Sequence, residues 1–242
     1  TMIVDSSALL ERACDDVVRS AFNSAGQRCS ALRLLLVHKE VYEEFVAMLK
    51  GAMNDLTIGI PDDLGTDIGP IITFEAVEKL NNYLTKMKTD GHFLFQTSRE
   101  NVPSEGSWVL PTLIELELSS MPNEEQFGPI LHVASYTEDT LVDSLKQIDA
   151  NGFALTFGIH TRIDAKAINV AKHTSSGNIY INRDIVGAVV ETQPFGGKNL
   201  SGTGFKAGGP NYLLQFMDER VIAVNTVAIG GNVDLINLNN DT

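Results

Sequence analysis

The sequence predicts an α/β fold with a largely parallel central sheet, arranged as one domain with a β-prone tail. Segments with apolar residues at helical spacing alternate with short apolar runs, the pattern left by crossover helices between parallel strands. At 242 residues with 43% hydrophobic content, the chain can bury one large core. No internal repeat, low-complexity stretch or flexible linker interrupts it, so residues 1–220 read as the domain and 221–242 as the tail.

The elements follow in order. From Ala8 to Ser24, Leu10, Ala13, Cys14, Val17 and Ala21 fall on one helical face. Gly26 breaks that helix and leaves Cys29 in a short connection. Ala31 to Val37 reads as a buried strand, and Glu40 to Asn54 as a helix with Val41, Phe45, Met48, Leu49 and Ala52 inward. A polar turn with Pro61, Gly65 and Gly69-Pro70 leads to a helix near Phe74–Thr89. Short strands and loops occupy Gly91–Pro122. Then come a strand (Ile130–Tyr136), a helix (Leu141–Ala150), a strand (Ala154–His160), a helix (Ala165–His173) and a short strand (Asn178–Asn182). Gly- and Pro-rich loops run to Pro210. The tail from Val221 to Leu238 is apolar, with Gly230-Gly231-Asn232 as a turn.

Charge excludes several classes of function. The 31 acidic residues outnumber 18 basic ones, for a net charge of −13, which argues against a nucleic-acid partner that needs clustered Lys and Arg. No run approaches the ~18 apolar residues of a membrane span. The first residues lack a signal-peptide layout. Two cysteines alone, Cys14 and Cys29, suit a reducing cytoplasm better than a disulfide framework. His38, His92, His132, His160 and His173 show no metal spacing and read as surface or packing residues, so no metal site is expected.

Cys29 lies in Ser24-Ala25-Gly26-Gln27-Arg28-Cys29-Ser30, between a helix and a strand, where a side chain can project into a cleft. A thiol there is either a nucleophile, which needs a neighbouring cation or backbone donors to favour the thiolate, or a small buried hydrophobe. Cys14 takes the second reading, on its apolar face. Glu124-Glu125 reads by itself as a solvated charge pair, Gly187-Ala188 as a tight turn and Phe195 as a core aromatic. Gly202-Thr203-Gly204 lacks the strand–turn–helix setting of a dinucleotide loop.

Three motifs in order change these readings. The run Phe22–Cys29 resembles the active-site segment of the aldehyde dehydrogenase superfamily, where Gly-Gln-x-Cys presents the nucleophile. Glu125-Gln126-Phe127-Gly128-Pro129 is similar to that family's Glu-x-Phe-Gly-Pro, and Pro194-Phe195-Gly196-Gly197 with Ser201-Gly202 to a third signature. The nearer resemblance is to the Δ1-pyrroline-5-carboxylate dehydrogenases, in particular the C-terminal part of bifunctional proline utilisation A proteins. It rests on Met2–Leu9, Asn178–Arg183, Gly187–Val190, Ser201–Gly204, Lys206–Pro210, Val224-Asn225-Thr226 and Gly230-Gly231-Asn232. Phe205 departs from it, standing where Pro is expected.

The resemblance implies a three-layer catalytic-domain fold and an NAD-dependent oxidation of glutamate γ-semialdehyde to glutamate. Cys29 would be the nucleophile, with Glu125 on the nicotinamide ribose and Phe127 beside the nicotinamide. The substrate carboxylate would rest on the N–H groups of Gly187 and Ala188, with Ser30 adding a hydroxyl and Phe195 lining the passage. FAD would belong to a separate proline dehydrogenase domain of such a protein, and homo-oligomers are common in the superfamily.

The family's general-base Glu, an oxyanion Asn and the adenosine-binding domain would all lie before Thr1. The chain therefore reads as an excised catalytic domain, expected to have little activity alone. Two other classes stay open: a cysteine acyltransferase or thioesterase, which needs a His beside the thiol, and an assembly module whose tail lends an edge strand.

Overall fold

The computed structural model describes residues 1–100, 102–202, 204–225 and 228. The chain divides into two compact units, Thr1–Tyr212 and Leu213–Thr242. In the first, the elements run β1 (Met2–Val4), α1 (Leu10–Phe22), β2 (Leu34–His38), α2 (Tyr42–Asn54), α3 (Phe74–Thr89), β3 (Phe93–Gln96), β4 (Thr112–Glu115), β5 (Ile130–Tyr136), α4 (Leu141–Ala150), β6 (Phe153–Ala154), β7 (Thr156–His160), α5 (Asp164–Lys172), β8 (Asn178–Ile181) and β9 (Lys198–Asn199). The second unit carries no strand among its described residues. The Gly230-Gly231-Asn232 turn lies outside them.

The seven-stranded sheet has the order β3-β4-β5-β2-β1-β7-β8. Every pairing is parallel except β3 with β4 at one edge. The parallel sheet was expected; one of its interior strands, β1, was not. β1 is three residues long, too short to show a period, yet it pairs with both β2 and β7. Its neighbour β2 is buried along its whole length, as a strand covered on both faces must be.

Alternation across the strands sorts side chains into two cores. Met2, Val4, Leu35 and Val37 face α1, α2 and α3, where Val17, Phe45, Leu49 and Leu80 meet them. Ile3, Leu34 and Leu36 face the other way, onto Leu141, Leu145, Ala167 and Val170 of α4 and α5. The result is helix–sheet–helix, three layers deep. On α1 the expected face is buried at Ala13, Cys14, Val17 and Ala21, while Leu10 is half-buried.

Asp5 locks β1 in place. Its carboxylate is fully buried and accepts from the Ser7 backbone (3.1 Å), the Ser7 hydroxyl (2.6 Å), the Thr161 hydroxyl (3.0 Å) and the Lys166 ammonium of α5. Burial alone would raise its pKa, but the bonds from Lys166 and Ser7 outweigh that and hold it at about 2. A carboxylate with a lowered folded pKa contributes stability above its ordinary value and loses it as pH falls towards the folded one. Asp5→Asn should therefore cost about 2–3 kcal/mol at pH 7. Urea unfolding should show the two proteins converging between about pH 4 and pH 2. A gap that stays constant over that range would contradict this role for Asp5.

Candidate active site

Cys29 sits on a strained turn. After α1 ends, Ser24 (φ 55°), Ala25 (φ 53°) and Gly26 (φ 65°) adopt left-handed backbone in succession, a conformation that costs non-glycine residues of order 1–3 kcal/mol each. The surroundings hold them there. The side-chain oxygen of Gln27 accepts the Ile72 N–H (2.9 Å) while its amide donates to the Pro70 carbonyl (3.1 Å). Leu32 N–H donates to the Ser20 carbonyl at 2.9 Å. Arg28 donates from Nε to Ser24 Oγ (2.9 Å). Cys29 is exposed, and the backbone N–H groups of Cys29 and Ser30 have no acceptor among the described residues.

The turn rests on the second motif. A Cβ built on Gly26 would lie 2.1 Å from the Gly128 carbonyl oxygen, so only glycine fits at this approach. Gly128 is itself packed under Leu80 of α3, which a Cβ there would meet at 2.5 Å. Lys79, next on the same helix, pairs with Glu124 at 2.5 Å. The Cys29 turn and the Glu125–Gly128 segment are thus stacked, with α3 behind them.

Arg33 bridges the two segments, and sequence reading gave no sign of it. Its guanidinium donates to Glu125 Oε1 (3.2 Å), the Gly128 carbonyl (3.1 Å) and the Arg28 carbonyl (3.3 Å), and lies 4.7 Å over the Phe127 ring. Burial lowers its pKa and Glu125 opposes that shift; an Arg stays charged regardless. Behind it, the Arg33 carbonyl accepts from the His132 backbone N–H and Nδ1, both at 2.9 Å. His132 Nε2 meets the Tyr83 hydroxyl at 2.7 Å. Burial, with Arg33's charge, drives His132 down to about 4 against the carbonyl bond that favours its charged form. It is a neutral packing residue, held by Nδ1–H to Arg33 and by Tyr83 O–H to Nε2.

Cys29, Arg33, Glu124, Glu125 and His132 line one cavity of about 140 Å³, together with Asn151, Phe153, Ser176 and Ser201. Leu34 and Thr156, the first residues of β2 and β7, also line it, which sets it at the N-terminal ends of those strands. Ligands of open α/β sheets more often sit at the carboxyl ends.

Ser30 is buried beside Cys29, and its hydroxyl has no partner among the described residues. Gly187 (φ 72°) and Ala188 lie on the loop after β8 and do not line the cavity. Among the described residues no acceptor takes their N–H groups. That loop is well framed. Arg183 donates to Asp184 and Val186 carbonyls (3.0 and 3.4 Å), Gln193 accepts the Val189 N–H (3.1 Å), and the Ile185 N–H reaches Ser20 Oγ of α1 (3.1 Å). Phe195 is half-buried and bridged to Ala207 in antiparallel fashion. Lys206 ties its flank down, donating to Asn178 Oδ1 (2.9 Å) and the Gly196 carbonyl (2.7 Å).

The sequence that carries these stacked motifs has relatives among known proteins: residues 1–222 match the model of the aldehyde dehydrogenase family. The chain belongs to that family. It is 48% identical over 224 residues to the bifunctional protein PutA of Salmonella typhimurium, covering 90% of this chain and 17% of that protein. It is 34% identical over 223 residues to the 1-pyrroline-5-carboxylate dehydrogenase of Bacillus subtilis, covering 91% and 42%. Among solved structures, a bifunctional proline utilization A protein aligns with a TM-score of 0.87 at 46% identity, over 95% of this chain and 23% of that one. A Thermus 1-pyrroline-5-carboxylate dehydrogenase with bound NAD aligns at 0.79 and 30% identity, over 90% and 42%. The chain thus spans less than half the length of these relatives.

The two thiols of this family member differ in access. Cys14 is buried, and burial pushes its pKa up to about 11, whereas Cys29 is exposed. Native iodoacetamide treatment followed by peptide mass spectrometry should alkylate Cys29 at least about ten-fold faster than Cys14, because burial both suppresses the Cys14 thiolate and blocks access to it. Equal rates would contradict the placement of both residues.

Proposed function

We propose that this chain is the nucleophile-bearing part of an NAD-dependent dehydrogenase that oxidises glutamate γ-semialdehyde to glutamate. The observation that carries the reading is the exposed Cys29 on a turn packed, through Gly26, directly against the Glu125–Gly128 segment. The similarity to 1-pyrroline-5-carboxylate dehydrogenases supports the substrate class. Because the chain spans only part of those relatives, the activity is assigned to the whole protein that carries it.

The residues present fit the nicotinamide end of NAD. Glu125 offers a half-exposed carboxylate and Phe127 an exposed ring. Glu125 would hold the ribose hydroxyls and Phe127 would pack beside the nicotinamide.

The chemistry starts at Cys29. Its thiolate adds to the aldehyde carbon and the carbonyl electron pair moves onto oxygen, forming a thiohemiacetal. The unclaimed N–H groups of Cys29 and Ser30 are the donors placed to meet that developing charge. When bound, NAD would supply the hydride acceptor, and loss of that hydride would leave the substrate as a thioester on Cys29. Cys29 holds the acyl group until water cleaves the C–S bond, releasing the carboxylate and restoring the thiol. The Gly187 and Ala188 N–H groups and the Ser30 hydroxyl would bind the substrate's amino-acid end, and Phe195 would flank its aliphatic chain.

The test is NADH formation by the whole protein supplied with pyrroline-5-carboxylate, the cyclised form of the semialdehyde. Cys29→Ser should lower kcat by about 10³-fold or more. Butyraldehyde, which lacks the amino-acid end, should show a markedly lower kcat/KM. Turnover by Cys29→Ser near the wild-type rate, or equal kcat/KM for both aldehydes, would overturn the proposal.

A further inference from the structure

We propose that Arg33 is the positioning residue for the cofactor end of the site, holding the Glu125 carboxylate and the Cys29 turn in one frame. The inference rests on the reading of Glu125 as the ribose-binding carboxylate, and it concerns how that carboxylate is aimed.

The geometry of Glu125 is the first support. Arg33 Nε takes Oε1 at 3.2 Å, and Oε2 has no hydrogen-bond partner among the described residues. One oxygen is clamped, the other is unclaimed, and Glu125 lines the same cavity as Cys29. A carboxylate held by one oxygen keeps the second in a fixed direction for a pair of vicinal hydroxyls, without the rotamer entropy a free Glu loses on binding.

Burial is the second. The Arg33 side chain is 13% exposed and that of Glu125 32%, so this is no solvated surface pair. Removing a guanidinium from water is costly unless its donors are used. Here they are used on two chain segments, at Glu125 and Gly128 on one and Arg28 on the other, with the Phe127 ring beneath. A planar fork does this; a Lys ammonium on a flexible stem does not.

The third support is that Arg33 itself cannot drift. Its carbonyl receives two bonds from His132, and His132 is fixed by Tyr83 from α3. A continuous path of hydrogen bonds runs from a helix in the outer layer to the carboxylate that would meet the ribose. Displacing Arg33 would release Glu125, Phe127 and the Arg28 carbonyl, one residue from the nucleophile, together.

The experiment uses the whole protein and two readouts. In equilibrium titrations with NAD, Arg33→Gln, Arg33→Lys and Glu125→Gln should each raise Kd about ten-fold. The double variant Arg33→Gln/Glu125→Gln should lie within about two-fold of Glu125→Gln alone, because residues acting in series are not additive. If Arg33→Gln weakens binding by the same factor with or without Glu125, the two act independently and the proposal is overturned. The second readout is amide hydrogen exchange without NAD, on Arg33→Lys, which keeps the charge should Arg33→Gln fail to fold. Exchange should rise together in residues 27–32 and 124–128 and stay unchanged in β1 and β7. An unchanged pattern, or a uniform rise across the sheet, overturns the proposal. A wild-type protein that binds no NAD would instead remove the ribose reading of Glu125, and the exchange pattern would still decide whether Arg33 couples the two segments.

Discussion

The functional half of the fold is organised by the approach of Gly26 to the Gly128 carbonyl, where a Cβ would lie 2.1 Å from oxygen. This contact joins segments a hundred positions apart in the chain and makes the left-handed turn before Cys29 affordable. With any side chain at Gly26, the turn and the Glu125–Gly128 segment would have to separate. The Gly128 carbonyl would then leave Arg33, and Arg33 would lose the geometry that fixes Glu125. A missing methyl group thus sets the distance between the Cys29 turn and the Glu125–Gly128 segment.

Electrostatics at this end of the sheet differ from the usual arrangement of an anionic site on a helix N-terminus. Cys29 follows the C-terminal end of α1, whose last-turn carbonyls at Arg19 and Ser20 accept the Asn23 and Leu32 N–H groups. The donors near Cys29 are of another kind. The Cys29 and Ser30 N–H groups are unclaimed, and Arg33, a buried cation in a chain with net charge −13, lines the same cavity. His132, also in the wall, is kept neutral by burial and takes no part as a second cation. Its work is mechanical, holding the backbone of Arg33.

Much of the architecture was legible because it is written in periodicity. The strand at Ile130–Tyr136 and the helices at Phe74–Thr89 and Leu141–Ala150 stand where the apolar pattern placed them. β1 was not legible, since three residues cannot show an alternation and its interior place arises only from pairing with β2 and β7. Helix α1 stops at Phe22, before the Ser24 suggested by its pattern, because the strained turn begins ahead of Gly26. Around the site, the motifs marked Cys29, Glu125 and Phe127. Arg33 carried no signal: a single Arg ahead of a strand is ordinary, and its value comes from distant partners at Glu125 and Gly128. The resemblance had already singled out the N–H groups of Gly187 and Ala188, and the structure adds that no acceptor among the described residues takes them.

The most direct measurement is to quench the whole protein during turnover of pyrroline-5-carboxylate with NAD and to map the acyl group by peptide mass spectrometry. A hydroxylamine-labile γ-glutamyl thioester should be found on the peptide containing Cys29 and not on that containing Cys14. Turnover with the acyl group on another residue, or with no hydroxylamine-labile adduct at Cys29 under conditions that slow hydrolysis, would contradict the assignment of the nucleophile and of the frame built around it.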